Sequence, residues 1–141
     1  MRERGTMRST RRILFDAHPI LKWTQRETGY RKVRKLMLGC RDKSVIGYMS
    51  QINLGEVYYI TIRALGIDAA KDFLDNFLRL PITIVLPDSE LIWSASDIKA
   101  EHPISYADCF AAATALRYNA TILTGDPEFK KLGTTVSVEW L

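Results

Sequence analysis

The sequence predicts an α/β domain with a mostly parallel central β-sheet flanked by α-helices. Three observations lead there. Short β-like apolar runs alternate with helix-period segments along the chain, Gly, Pro or a capping residue punctuates each change, and no repeat, low-complexity tract or long linker intervenes. At 141 residues, 47% hydrophobic and 26% charged, the chain suits one domain with a real core and leaves no room for a second.

Arg12 to Phe15 reads as a buried strand ending at Asp16, and Ala17 to Glu27 as a helix whose Pro19 sits where an N–H is not needed. Gly29 breaks the pattern. Tyr30 to Arg41 places Val33, Leu36 and Met37 at helical spacing, and Val45 to Met49 is β-like. Ser50 is expected to cap a helix to about Leu65, Gly66 to end it, and Asp68 to cap the next, with Ala70, Phe73, Leu74, Phe77 and Leu78 inward. Pro81 stops that helix. Ile82 to Leu86 is a strand, Asp88 to about Glu101 a helix, and His102-Pro103 a break. Ser105 to Tyr118 is an Ala-rich helix, Thr121 to Leu123 a strand, Gly125-Asp126-Pro127 a turn and Val136 to Trp140 a final strand. Parallel sheets of this kind place sites beyond the carboxyl ends of their strands.

Composition excludes several classes. No apolar run reaches membrane-span length, since Gln51, Asn53, Glu56 and Arg63 interrupt the longest, and Asp16, His18 and Lys22 follow Ile13-Leu14-Phe15 too soon for a secretory signal. The cytoplasm is the expected compartment. Cys40 and Cys109 lie far apart with no ligand-spaced partner, which argues against a disulfide framework or a zinc site. The net charge of +4 is supplied by residues 1–12, which hold five Arg and one Glu. Residues 1–11 are thus expected to be a basic arm, either a disordered tail or in part an over-long start before Met7. Arg31, Lys32, Arg34, Lys35, Arg41 and Lys43 form a second basic stretch, which reads equally as a phosphate-backbone patch or a solvated helix face.

Of sixteen acids, Asp72, Asp75, Glu90 and Asp97 fit solvated helix faces. Asp16 follows a buried strand and precedes a helix, so by itself it reads first as a helix cap. Glu56 is flanked by Ile52, Ile60 and Val57 and shares an apolar helix face, where a carboxylate needs a cation or basic partner. Asn53, one turn earlier, projects to the same side. Asp108 lies in Ser105-x-x-Asp108, which has the form of a capping box, and Ala111, Ala112 and Ala115 beyond it permit close packing. Asp126 resembles a cap before Pro127.

These segments resemble PIN domains, especially VapC-type toxins. Ile104-Ser105-Tyr106-Ala107-Asp108-Cys109-Phe110-Ala111-Ala112-Ala113-Thr114-Ala115, then Ala120-Thr121-Ile122-Leu123-Thr124-Gly125-Asp126-Pro127, is similar to the family's C-terminal half. Leu14-Phe15-Asp16-Ala17-His18-Pro19-Ile20-Leu21 is similar to its first strand, acid and helix, and Ser50-Gln51-Ile52-Asn53-Leu54-Gly55-Glu56-Val57 to its second motif. The likeness spans residues 12–141, the expected nuclease domain. It implies an acidic site of Asp16, Glu56, Asp108 and Asp126 supported by Asn53 and Thr124. It also implies Mg²⁺ or Mn²⁺ as cofactor, cleavage of single-stranded or looped RNA, a homodimer and a small antitoxin partner. Ala17, His18 and Pro19 depart from the small hydroxyl or amide residue common after the family's first Asp, and His18 reads as a near-surface position without a catalytic role.

The chemistry is consistent with that cluster. Converging carboxylates raise one another's pKa unless a divalent cation neutralises them, and oxygen-only ligands suit Mg²⁺ or Mn²⁺. Asp16 and Asp108 are the first-choice ligands, Asp126 completes the site, and Glu56 ligates through water or acts as base. Two other classes fit the sequence less well. A phospho-accepting receiver domain would carry an acid pair after its first strand, where Asp16 is followed here by Ala17. A PIN-like RNA-binding or scaffold module without activity would lack one of the acids, and all four are present.

Overall fold

A computed structural model of the chain describes residues 10–141. Strand β1 (Arg11–Phe15) is the centre of a five-stranded sheet of order β3-β2-β1-β4-β5, with β2 at Val45–Ser50, β3 at Ile82–Val85, β4 at Thr121–Thr124 and β5 at Val138–Trp140. Every pairing is parallel, and Phe15 stands opposite Leu123. The helices are α1 (Ala17–Thr24), α2 (Tyr30–Arg41), α3 (Gln51–Leu65), α4 (Ile67–Phe77), α5 (Ser89–Glu101) and α6 (Tyr106–Tyr118), with a 3-10 segment over Pro127–Thr135.

The position of β1 follows from its side chains. Ile13, Leu14 and Phe15 are fully buried, as expected of a strand covered on both faces. Alternation sends Ile13 and Phe15 into a core with Val33, Leu36 and Met37 of α2, Val57 of α3 and Phe77 of α4. Leu14 enters the opposite core, built from Leu91 and Ala95 of α5, Ala111 and Ala112 of α6, and Phe129. The buried alanines of α6 let that helix lie close to the sheet. Asn119, in the left-handed region at φ 52°, ends it.

Chain order creates the site's location. From β1 the sheet grows outward through β2 to β3, then the chain returns to lay β4 on the other side of β1. Helix α1 leaves β1 toward one core through Ala17 and Ile20, whereas the 3-10 segment leaves β4 toward the other through Phe129 and Leu132. The two connections diverge, so a crevice opens beyond the ends of β1 and β4. An ion pair braces the far side of α6: Arg117 donates to both Asp88 oxygens at 2.9 and 2.7 Å. The same carboxylate caps α5 through the Leu91 N–H at 2.9 Å, and Arg117 holds its pKa down to about 2.

Several boundaries differ from the sequence reading. Helix α1 stops at Thr24 instead of Glu27, and the Thr24 hydroxyl turns back to the Leu21 carbonyl at 3.0 Å. Gly66, not Asp68, is the N-cap of α4, and Asp68 sits in its first turn. The last strand begins at Val138 instead of Val136, and Ser50 and Thr124 extend β2 and β4 by one residue. Arg11, assigned from sequence to the basic arm, is the first residue of β1, and its guanidinium pairs with Glu139. Thr10 is exposed and outside any element, and residues 1–9 of the expected arm lie outside the described residues.

Gly47 marks how tightly α2 sits on the sheet. A Cβ there would lie 2.8 Å from Cys40 Sγ and 3.1 Å from Phe15 Cε2, both inside van der Waals contact. Gly47→Ala is therefore expected to lower the unfolding free energy by about 1–3 kcal/mol through overpacking. Urea unfolding measures this, and an unchanged midpoint would show that α2 retreats without loss.

Candidate active site

Asp16 ends β1 in almost complete burial, 2% exposed, with its backbone N–H on the Leu123 carbonyl at 3.2 Å. It occupies the N-cap position of α1 as the sequence suggested, but its side chain makes no cap hydrogen bond to that helix. Oδ2 accepts from the Thr124 hydroxyl at 2.8 Å, while Oδ1 is buried without a partner. Thr124, itself fully buried, also accepts from the Asp126 N–H at 3.0 Å. One hydroxyl thus ties the end of β1 to the turn after β4.

That turn carries Asp126, whose Oδ1 accepts from the Glu128 N–H at 2.9 Å and caps the 3-10 segment as its place before Pro127 suggested. Asp108 enters from the first turn of α6, 7% exposed, with its N–H on Ser105 Oγ at 3.1 Å. The Ser105 arm of the expected capping box is thus made. Among the described residues no bond returns from the Asp108 carboxylate to the Ser105 backbone N–H. Asp16, Asp108 and Asp126 each present an oxygen such that all three lie within 4.8 Å of one another.

Glu56 stands apart from that trio. It is half-buried on α3, and Asn53 Nδ2 donates to its Oε1 at 3.1 Å and to the Ala107 carbonyl at 3.2 Å. Asn53, fully buried, therefore links α3 to the residue preceding Asp108. The position anticipated for Asn53 beside Glu56 is where the structure has it.

The electrostatics follow from packing acids together out of water. Burial, reinforced by the charges of Glu56 and Asp126 and opposed by the Thr124 hydroxyl, raises Asp16 to about 7. Burial and then the charges of Asp16 and Asp126 raise Asp108 to about 8. Burial also pushes Glu56 upward, with Asp126 adding to it. Among the described residues no ion pair supplies a Lys or Arg to these acids. Oxygen-only donors converging with one buried oxygen unpartnered fit a hard divalent cation.

Two other features complete the picture. His18, beside Asp16, packs its ring on Gly125 so closely that a Cβ there would lie 2.6 Å from Cε1. Sequence reasoning missed this contact, and the only available signal was the glycine between Thr124 and Asp126. The basic stretch except Lys43 lies on the exposed side of α2, where Lys32 pairs with Glu139 at 3.0 Å and Arg31 lies over Tyr30. A cleft of about 260 Å³ lined by Trp23, Thr61, Leu65 and Phe73 includes none of the acids.

The raised acids make the stability of the metal-free protein depend on pH. Folded Asp16 and Asp108 keep protons that the unfolded chain releases near pH 4, so their stabilising contribution is complete below that pH. It is lost as pH rises through about 7 and 8. The Tm of metal-free protein is expected to rise between about pH 8 and about pH 6. Asp108→Asn should flatten that rise and stabilise the metal-free protein near pH 8 by on the order of 1 kcal/mol. Thermal melts in a chelator test this, and a Tm that falls on acidification across that interval contradicts it.

Comparison with known proteins agrees with this geometry. The family model for the PIN domain matches residues 13–134. No curated protein sequence matches the chain. Its fold is similar to VapBC2 from Rickettsia felis bound to a promoter DNA fragment, at 18% identity and a TM-score of 0.73, covering 92% of this chain and 98% of that one. It is also similar to VapC20 from Mycobacterium tuberculosis, a toxin cleaving the sarcin–ricin loop, at 17% identity and a TM-score of 0.71, covering 86% and 95%. FitAcB from Neisseria gonorrhoeae matches at 20% identity and a TM-score of 0.62, covering 89% and 95%. With the family model spanning most of the sequence and the acids meeting at the sheet's switch point, the chain belongs to the PIN domain family.

Proposed function

We propose that the chain is a divalent-metal-dependent endoribonuclease and the toxin of a toxin–antitoxin pair, with Asp16, Asp108, Asp126 and Glu56 as its acidic site. The observation that carries this reading is the convergence of three carboxylates from β1, α6 and the turn after β4 to within 4.8 Å. Like charges are not gathered in a half-dry crevice for stability, because each disfavours ionisation of the others.

Asp16, Asp108 and Asp126 would hold Mg²⁺ or Mn²⁺. When bound, such a cation polarises the scissile phosphate and lowers the pKa of water. The chain's own groups do the rest. Thr124 fixes the rotamer of Asp16 by donating to Oδ2, which leaves Oδ1 without a hydrogen-bond partner. Glu56 lies outside the three mutually close ligand oxygens, and Asn53 holds one of its oxygens in place. Its raised pKa suits a group that takes a proton from the attacking water. The acids lie beyond the carboxyl ends of β1 and β4, a place that suits an unpaired RNA backbone.

The partner assignment rests on the structural relatives. A structure similar to this fold is described as a toxin–antitoxin complex from Klebsiella pneumoniae, and VapC20 is named as a sarcin–ricin loop cleaving toxin. A homodimer and an antitoxin would cover apolar surface such as Leu86 and Trp93, 61% and 64% exposed. The cytoplasm is the compartment of this activity. No helix among the described residues is long and apolar enough to cross a membrane.

Incubating the chain with total RNA and Mn²⁺ is expected to yield discrete fragments, and a chelator should prevent them. Asp16→Asn and Asp108→Asn should each reduce cleavage by about a hundredfold or more while retaining the circular dichroism of the wild type, because each removes ligand charge at constant shape. Either variant cleaving at the wild-type rate overturns the assignment. In light scattering the chain should have the mass of a dimer, and a co-expressed antitoxin should relieve the growth arrest that the chain causes alone. A monomer with no effect on growth would remove the toxin role.

A further inference from the structure

The first turn of α1 leaves the site through Ala17, Pro19 and Ile20, all buried, and His18 is the residue of that turn that reaches solvent. Its ring lies against Gly125, where a methyl group would stand 2.6 Å from Cε1 and 2.9 Å from Nδ1. Any other residue at position 125 would displace the imidazole, so the missing side chain is a seat for it. The two ring nitrogens differ. Nδ1 is buried without a partner, whereas Nε2 is not so buried, and no hydrogen bond among the described residues occupies it.

That asymmetry sets the tautomer. A buried N–H without an acceptor is rarer than a buried acceptor without a donor, so Nδ1 keeps its lone pair and Nε2 carries the hydrogen. Asp126 directly follows Gly125 and its charge acts on the ring, so the imidazole sits next to a member of the acidic cluster. Lys22, one turn further along α1, is tied to the Thr28 carbonyl at 3.2 Å. A phosphodiester approaching three carboxylates needs donors at their edge, and His18 is a seated one. We propose that His18 is a substrate-positioning residue whose Nε2–H donates a hydrogen bond to a phosphate oxygen of RNA lying across the acidic site. This rests on the ribonuclease reading for its ligand, RNA, and not for the cleavage step. It goes beyond it by assigning a contact at a residue with no place in the acidic set.

The alternative is a brace, in which the ring merely supports the turn that carries Asp126. Substitutions separate the two. His18→Gln retains an N–H donor near the place of Nε2, while His18→Phe retains a ring and loses the donor, and His18→Leu does the same with less bulk should Phe not fit. Binding of a short, labelled, mixed-sequence single-stranded RNA is measured by anisotropy with Ca²⁺ in place of Mn²⁺, alongside KM and kcat with Mn²⁺ and the Mn²⁺ affinity of each variant.

The expected result is that Phe or Leu raises Kd and KM by about tenfold or more, the effect of losing one hydrogen bond to a charged group. Gln should stay within about threefold, and Mn²⁺ affinity should not move in any variant. RNA affinity unchanged in both Phe and Leu overturns the proposal. So does tight binding kept by Phe and lost by Gln, which indicates a packing role, or a parallel loss of Mn²⁺ affinity, which indicates action through Asp126. Wild-type protein that does not bind RNA overturns it as well. RNA binding that depends on His18 without any Mn²⁺-dependent cleavage would sink the nuclease reading and leave this one standing. Cleavage with binding indifferent to His18 would do the reverse.

Discussion

Mutual repulsion among Asp16, Asp108 and Asp126 is the constraint around which this fold is arranged, since three carboxylate oxygens within 4.8 Å oppose their own assembly. Burial makes the opposition stronger and lifts Asp16 and Asp108 toward neutral pH. The positions of the acids must therefore be enforced by interactions elsewhere. Hydrophobic packing of β1 on both faces holds Asp16, the alanine face of α6 holds Asp108, and β4 pairing with β1 brings up Asp126. In metal-free protein, stability and site geometry pull in opposite directions, and a bound cation would remove the conflict.

Parallel topology makes that enforcement economical. With β1 and β4 adjacent and their connections leaving to opposite faces, two acids arrive at one crevice from segments more than a hundred residues apart without a specialised loop. The third acid needs a helix start at the same level. Small residues along α6 allow the close approach, and the Arg117–Asp88 ion pair links α6 to the start of α5. Packing and site are one device here, because a bulkier α6 would move Asp108 away from the other two.

A thin layer of neutral polar groups then sets orientation. Thr124 connects Asp16 to the backbone of Asp126, and Asn53 connects Glu56 to the start of α6. Neither group carries charge, so each fixes a carboxylate without neutralising it. Both are fully buried, where hydrogen bonds are less contested by water. Glu56 is thereby held by Asn53 outside the close trio of Asp16, Asp108 and Asp126.

Much of this was legible in the sequence because it is local. The apolar run Ile13-Leu14-Phe15, the spacing of Val33, Leu36 and Met37, the Ser50 and Ser105 caps and the Asp126-Pro127 turn depend on neighbours a few residues away, and each appears where periodicity and capping chemistry put it. The motifs around Asp16, Glu56, Asp108 and Asp126 likewise named the acids. Tertiary structure alone decided which of them meet. Asp16 stands at the N-cap position of α1 but its side chain makes no cap bond there, and Thr124 from β4 holds one of its oxygens instead. Glu56 could have been a ligand equal to the others, and α3 instead holds it outside the trio. Gly47 and Gly125 read as unremarkable until Cys40 and His18 arrive against them from other elements. Sequence specifies a residue's chemistry and its near neighbours, while its burial, its partners and hence its pKa are properties of segments brought together by the sheet order.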